Sequence, residues 1–364
     1  MSNPWVGLDI GGANLKAAHS DGWTKSMAFP MWKQFRTLAA SLAQLLDDCP
    51  AFCGVALTMT GELADCFATR AEGVACILEQ VTSVLPSSWV RVYSVEGSWA
   101  TVPVAARAPW SVAASNWHGL ARFCQRYAAD DDCLLIDIGS TTTDLIPLNQ
   151  SFIPLAAKTD LQRLQTGSLV YTGVERSNVV GIAKEVALHG SMCPIINELF
   201  ATTRDVHIWL GNVPENPECC DTADQQPATR CGARHRLARI IGEDGSTLTD
   251  SDIDSIAIQI ARAQETLIAS KLETVLTHWL PTETKRNKSK REVENAPTSS
   301  SLGRVKRIIL SGHGDFLIEA VLRQLRWTGE LIRLQSLLGT SLSRCAPAYA
   351  IAILASEEIS LDAH

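Results

Sequence analysis

The feature that most restricts the fold is a pattern that the chain states twice. In residues 134–148, LLIDIGSTTTDLIPL, an apolar run ends on Asp137, turns through Gly139, Ser140, Thr141 and Thr142, and resumes as a second apolar run. Residues 6–19, VGLDIGGANLKAAH, follow the same course, with Asp9 closing the first run and Gly11 and Gly12 in the turn. Apolar runs joined by a short glycine turn read as β-hairpins. The shared Asp-Ile-Gly core recurs at a spacing too long for a solenoid repeat, so the reading is a duplicated domain with one hairpin in each half. A chain of 364 residues is long enough for two such domains, each with its own core.

Strand-like runs at Trp5–Ile10, Gly54–Thr58, Val90–Ser94, Leu134–Ile138 and Arg307–Leu310 alternate with helical patterns. The expected helices are Lys33–Asp48, Ala71–Leu85, Ser115–Ala129, Ser251–His278, His313–Leu325 and Ala346–Ser356. This alternation predicts an α/β architecture with largely parallel sheets, to which the two hairpins add antiparallel pairs, giving a mixed sheet in each half. The expected domains are 1–130 and 131–364. Within the second, residues 154–250 are dense in turn formers and read as an inserted, loop-rich, substrate-facing element. Residues 281–303 are charged, rich in Ser and Pro and nearly free of apolar side chains, the composition of a disordered loop.

Composition narrows the function classes. A net charge of −7 leaves no basic footprint for nucleic acid. No apolar stretch approaches the roughly 18 residues of a membrane span, and the N-terminus enters a strand without a basic leader. A cytoplasmic protein with small-molecule partners is expected, without nucleic acid or membrane; a homodimer is left open. The eleven cysteines are scattered and mostly embedded in apolar stretches, as core residues of a reducing compartment are. The one local group, Cys219, Cys220 and Cys231 with His235, lacks the C-x-x-C pair of a zinc site.

A strand-end aspartate followed by a glycine turn supplies backbone N–H groups that cradle an anion and a carboxylate that holds a hard cation, here magnesium. Asp9 and Asp137 are the candidate metal and catalytic carboxylates. Gly11, Gly12, Ala13, Asn14 and Lys16 would bind phosphate in the first hairpin, and Gly139, Ser140, Thr141 and Thr142 in the second. The alternative for either hairpin alone is an aspartate that merely caps its own turn. A third glycine element, IILSGHGDFLIEAVL (308–322), places Gly312 and Gly314 between a strand and a helix, where an anion or ribose is readily bound.

These three elements in this order resemble the actin-like ATPase superfamily of sugar kinases, heat-shock chaperones and actin. More narrowly, GVALTMTGELADCFATRAEGV (54–74), YTGVERSNV (171–179), ATTRDVHIWLG (201–211) and DTADQQPATR (221–230) resemble the hydantoinase/oxoprolinase-related subgroup of tetrahydromethanopterin-linked one-carbon transfer proteins. The resemblance covers nearly the whole chain and implies two actin-like, ribonuclease H-like domains. It also implies a methanofuran-pathway reaction in which an aminomethylfuran methyl diphosphate is joined to the phenol of γ-glutamyltyramine and diphosphate is released.

For that reaction Glu62 is the candidate base that takes the phenol proton, with a helix-opening carboxylate as the alternative role. Arg70, Arg176 and Arg230 would bind phosphate or the glutamyl carboxylates, or form surface salt bridges. Asp221 and Asp224 would meet the substrate ammonium. His118, His313 and the tryptophans receive no role. The competing readings are an ATP-dependent small-molecule kinase or oxoprolinase-type amidohydrolase, for which ATP would be the cofactor, and a non-catalytic sensor using the same cleft.

Overall fold

The computed structural model describes residues 3–128, 132–280 and 301–359. The expected disordered loop therefore lies outside the described residues, apart from its last positions, where Ser301–Arg304 form a turn of 3-10 helix instead of open chain.

The first sheet has six strands: β1 (Trp5–Ile10), β2 (Asn14–His19), β3 (Thr24–Ala28), β4 (Gly54–Met59), β5 (Val90–Tyr93) and β6 (Trp99–Thr101), in the order β3-β2-β1-β4-β5-β6. It is mixed: β1 runs antiparallel to β2, with Asp9 opposite Lys16, and parallel to β4, with Asp9 opposite Thr58. Every residue of β1 and β4 is buried, because both faces of the sheet are covered. One face carries helices Leu38–Leu45 and Arg70–Val84 over a core that includes Leu8, Leu57, Leu42 and Ile77. On the other, Ile351 and Leu354 of helix Ala346–Glu358 pack with Trp5, Ala56 and Tyr93. A Cβ on Gly7 would collide with the Ala348 carbonyl, so the absence of a side chain there is what lets this helix close on β1.

The second sheet is built from β7 (Cys133–Ile138), β8 (Thr143–Leu148), β9 (Leu169–Val170), β12 (Arg307–Gly312) and β13 (Glu330–Arg333), in the order β13-β12-β7-β8-β9. A separate antiparallel pair joins β10 (Glu185–Leu188) to β11 (Ser191–Pro194). The stretch 154–250 is more ordered than its turn residues predict: it holds β9, this pair and helices Asp160–Thr166, Val179–Ile182, Thr203–Trp209 and Arg230–Arg239. Its scattered apolar residues, Val186, Val206 and Leu237 among them, converge on Ile253, Ile256 and Ile260 of helix Asp250–Trp279. That helix opens with a reciprocal cap between Thr249 and Asp252.

The chain does not divide into the consecutive blocks 1–130 and 131–364. One compact unit is Met1–Leu135 with Ile146–Gln162 and Leu331–His364, and the other is Ile136–Leu145 with Arg163–Glu330. The last segment joins the first unit because its helix supplies the missing apolar cover for β1.

Candidate active site

In the first unit the turn of the β1–β2 hairpin is closed by the Gly11 amide, which donates to the Asn14 carbonyl at 3.0 Å. The carbonyls of Gly12 and Ala13 accept from the amides of Met31 and Phe29, at 2.9 and 2.8 Å. Asp9 is buried with its Oδ1 unpartnered, and burial raises its pKa against the pull of Lys16.

The same turn positions Glu62. Leaving β4, the Thr60 amide donates to the Ile10 carbonyl at 2.9 Å, and a Cβ on Gly61 would lie 2.9 Å from the Gly11 carbonyl. Glu62 follows in the 3-10 turn Gly61–Leu63, so it opens no α-helix. It is 1% exposed and neither carboxylate oxygen has a hydrogen-bond partner. Burial pushes its pKa up to about 7, with the amides of Glu62 and Ala114 and the charge of Arg70 pulling down and Asp160 pushing up. Arg70 Nε lies 3.7 Å from Glu62, while its Nη2 donates to Asp160 at 2.7 Å. The 63% exposed ring of Trp110 lies 5.4 Å from the same guanidinium.

In the second unit the Gly139 amide donates to the Thr142 carbonyl, again at 3.0 Å. Here the Val174 amide donates to the Gly139 carbonyl, and those of Glu175 and Arg176 donate to the Ser140 carbonyl, at 2.9–3.0 Å. A Cβ on Gly173 would lie 2.6 Å from the Gly139 carbonyl, so this approach needs glycine. The third glycine element meets the same hairpin: the His313 amide donates to the Ile138 carbonyl at 3.0 Å, and Gly312 adopts φ +88° against that residue. Asp137 is half-buried at the end of β7.

The His313 ring lies 3.4 Å from Glu175, whose carboxylate also accepts from Arg204. Burial would raise Glu175, but His313 and Arg204 hold it down at about 2. Arg204 also donates to the Asp221 carbonyl at 2.8 Å, and Arg176 lies 3.4 Å from the Asp221 carboxylate. Arg176 and Asp221 are thus tied to the second hairpin. Asp224 instead accepts from buried Arg236 and from Arg239, at 2.9 and 2.8 Å, and Arg230 stacks 4.0 Å from Trp209. His118 bonds the Tyr93 hydroxyl at 3.0 Å. Among the described residues no group of three His, Cys, Asp or Glu side chains is arranged to hold a metal.

Sequence reasoning passed over Asp160, Trp110, Glu175 and Arg204. Glu175 had a signal in its place beside Arg176 within YTGVERSNV; Asp160 had none, because it meets Arg70 from 90 positions away.

The chain belongs to the hydantoinase/oxoprolinase family, whose profile matches residues 54–333. It is 29% identical over 357 residues to the (4-{4-[2-(gamma-L-glutamylamino)ethyl]phenoxymethyl}furan-2-yl)methanamine synthase of Methanocaldococcus jannaschii, covering 97% of this chain and 98% of that one. A synthase of the same name from Methanococcus vannielii is 25% identical over 233 residues, 64% of this chain and 94% of that one. Among solved structures, component A of the (R)-2-hydroxyglutaryl-CoA dehydratase of Acidaminococcus fermentans aligns over 98% of this chain and 99% of its own, with 10% identity and a TM-score of 0.44.

Proposed function

We propose that the protein is a transferase of methanofuran-type cofactor biosynthesis that forms an aryl–alkyl ether. The phenol oxygen of γ-glutamyltyramine, or of a tyramine- or tyrosine-like acceptor, attacks the methylene carbon of an aminomethylfuran methyl diphosphate. The new C–O bond replaces the one to the bridging oxygen, diphosphate leaves with the bonding pair, and the phenol proton passes to a base. The product for which both relatives are named contains this phenoxymethylfuran ether and the γ-glutamylaminoethyl group, and supports the reading.

The observation that carries it is Glu62, buried beside the Gly11 turn with Arg70 3.7 Å away as its ion-pair partner. A phenol has a pKa of about 10. A carboxylate near 7 is a far better proton acceptor than one at its ordinary value of 4.5, and is still half ionised at neutral pH. Because the Gly12 and Ala13 carbonyls are engaged by neighbouring amides and the Gly11 amide closes the turn, the N–H groups of Gly12 and Ala13, with Lys16, are what the first hairpin offers a diphosphate. Ser140, Thr141 and Thr142 add hydroxyls in the second. The unpartnered Asp9 oxygen fits a divalent cation held through one carboxylate and waters. Asp9 would hold magnesium in the first unit, which when bound would neutralise charge on the departing diphosphate, and Asp137 stands at the equivalent strand end of the second hairpin.

The test mixes protein, magnesium, the furan diphosphate and γ-glutamyltyramine without ATP and follows the ether by mass spectrometry. Ether with released diphosphate is expected. Turnover only after ATP is added would overturn the reading in favour of an ATP-dependent kinase or amidohydrolase, which the third glycine turn, locked onto Ile138, favours.

A further inference from the structure

The second unit holds a cavity of about 390 Å³ that none of these roles uses, between helices Asp250–Trp279 and Asp315–Gln324. Its inner end is uncharged. His207 is fully buried there, paired through Nε2 with Gln264 at 2.9 Å and edge-on to Phe316 at 4.8 Å between ring centroids. Burial brings this histidine down to about 4, so it is neutral at physiological pH. Gln264 also donates to the Gly173 carbonyl at 2.9 Å, and Gly173 is the residue packed on the second glycine turn. The cavity and that hairpin therefore share one support.

The rim is of opposite character. Half-buried Glu265 is flanked by Arg262 on its own helix and Arg323 on the other, both exposed. Both arginines act on its charge, yet among the described residues neither forms an ion pair within 4.0 Å. Two uncommitted guanidiniums beside one carboxylate complement an α-amino-acid head group: guanidinium binds carboxylate through a planar fork, and Glu265 would meet the ammonium. The Phe316 wall would receive the apolar part of the ligand.

We propose that this cavity binds the amino-acid head of the γ-glutamyl acceptor and is the element that separates glutamylated from unglutamylated phenols. The inference rests on the acceptor class of the proposed function. Titration calorimetry tests it, with γ-glutamyltyramine and tyramine as probes and wild type, Arg262→Gln, Arg323→Gln and Glu265→Gln as proteins, each checked for an unchanged Tm.

Wild type is expected to bind the glutamylated probe about tenfold or more tightly than tyramine, the scale of one charged contact. Each variant is expected to lose most of that preference while keeping its affinity for tyramine. Equal binding of the two probes by wild type, or a preference unchanged in all three variants, overturns the inference and leaves the function reading standing. Binding of neither probe overturns both. Loss of ADP binding in the variants with the glutamyl preference retained assigns the cavity to a nucleotide and overturns the inference alone.

Discussion

Arg70 stands 3.7 Å from Glu62 but gives its hydrogen bond to Asp160, at 2.7 Å. The acid thus has a cation close enough to be charged at neutral pH and too far away to be neutralised. That balance makes the pKa of Glu62 the quantity on which most of the following outcomes turn.

Glu62→Gln is expected to lower kcat by about 10²- to 10⁴-fold, the usual contribution of a positioned general base. In the wild type, kcat/KM should rise with pH and reach half its plateau near pH 7, since the base works only when ionised. A kcat/KM profile flat from pH 5.5 to 8.5 would remove Glu62 from the role.

The same shift has a cost in stability. Glu62 has a folded pKa of about 7 against an ordinary 4.5, so the folded state binds this proton more tightly than the unfolded one. Its stabilising contribution is full below pH 4.5 and is lost as pH rises through 7, by about 3 kcal/mol in all. Denaturant titrations should show Glu62→Gln gaining on wild type between pH 5 and pH 8, the reverse of its effect on turnover.

Asp160→Asn removes a charge that raises Glu62 and frees Arg70 to turn towards it. The acidic limb of the rate profile should move to lower pH, and Arg70→Gln should move it to higher pH. Profiles that stay where wild type has them would show that the three side chains are not coupled.

The parts of this arrangement that could be read from the chain are those set by local periodicity. Strands β1, β4, β5, β7 and β12 and helices such as Asp250–Trp279 fall within one or two residues of expectation, because apolar spacing and caps are local. The helix expected over Lys33–Asp48 is interrupted by 3-10 geometry at Phe35–Thr37. Edge strands such as β3, TKSMA, were missed because their side chains are polar and mostly half-exposed, without the alternation of a strand with one buried face. The hairpins were legible from residue type and order. The Arg70–Asp160 pair and the cavity rim were not, since they join segments with no shared pattern.

The glycine positions separate structural from chemical roles. Gly312→Ala puts a Cβ onto the Ile138 carbonyl at a φ of +88° and is expected to cost about 3 kcal/mol or more, seen as a fall in denaturant midpoint. Gly12→Ala meets nothing within 4 Å and should leave stability within about 0.5 kcal/mol of wild type. A loss of turnover in that variant at unchanged stability would mark the first turn as a ligand contact.

Gly7 and Ala348 carry a consequence for how the chain is made. The helix that covers one face of the first strand is synthesised about 340 residues after it. Until then Trp5, Ala56 and Tyr93 lack the cover of Ile351 and Leu354, and nascent chains expose part of this apolar sheet face. Chaperone demand during translation, and aggregation of chains that stop short of Ala346, are therefore built into the topology.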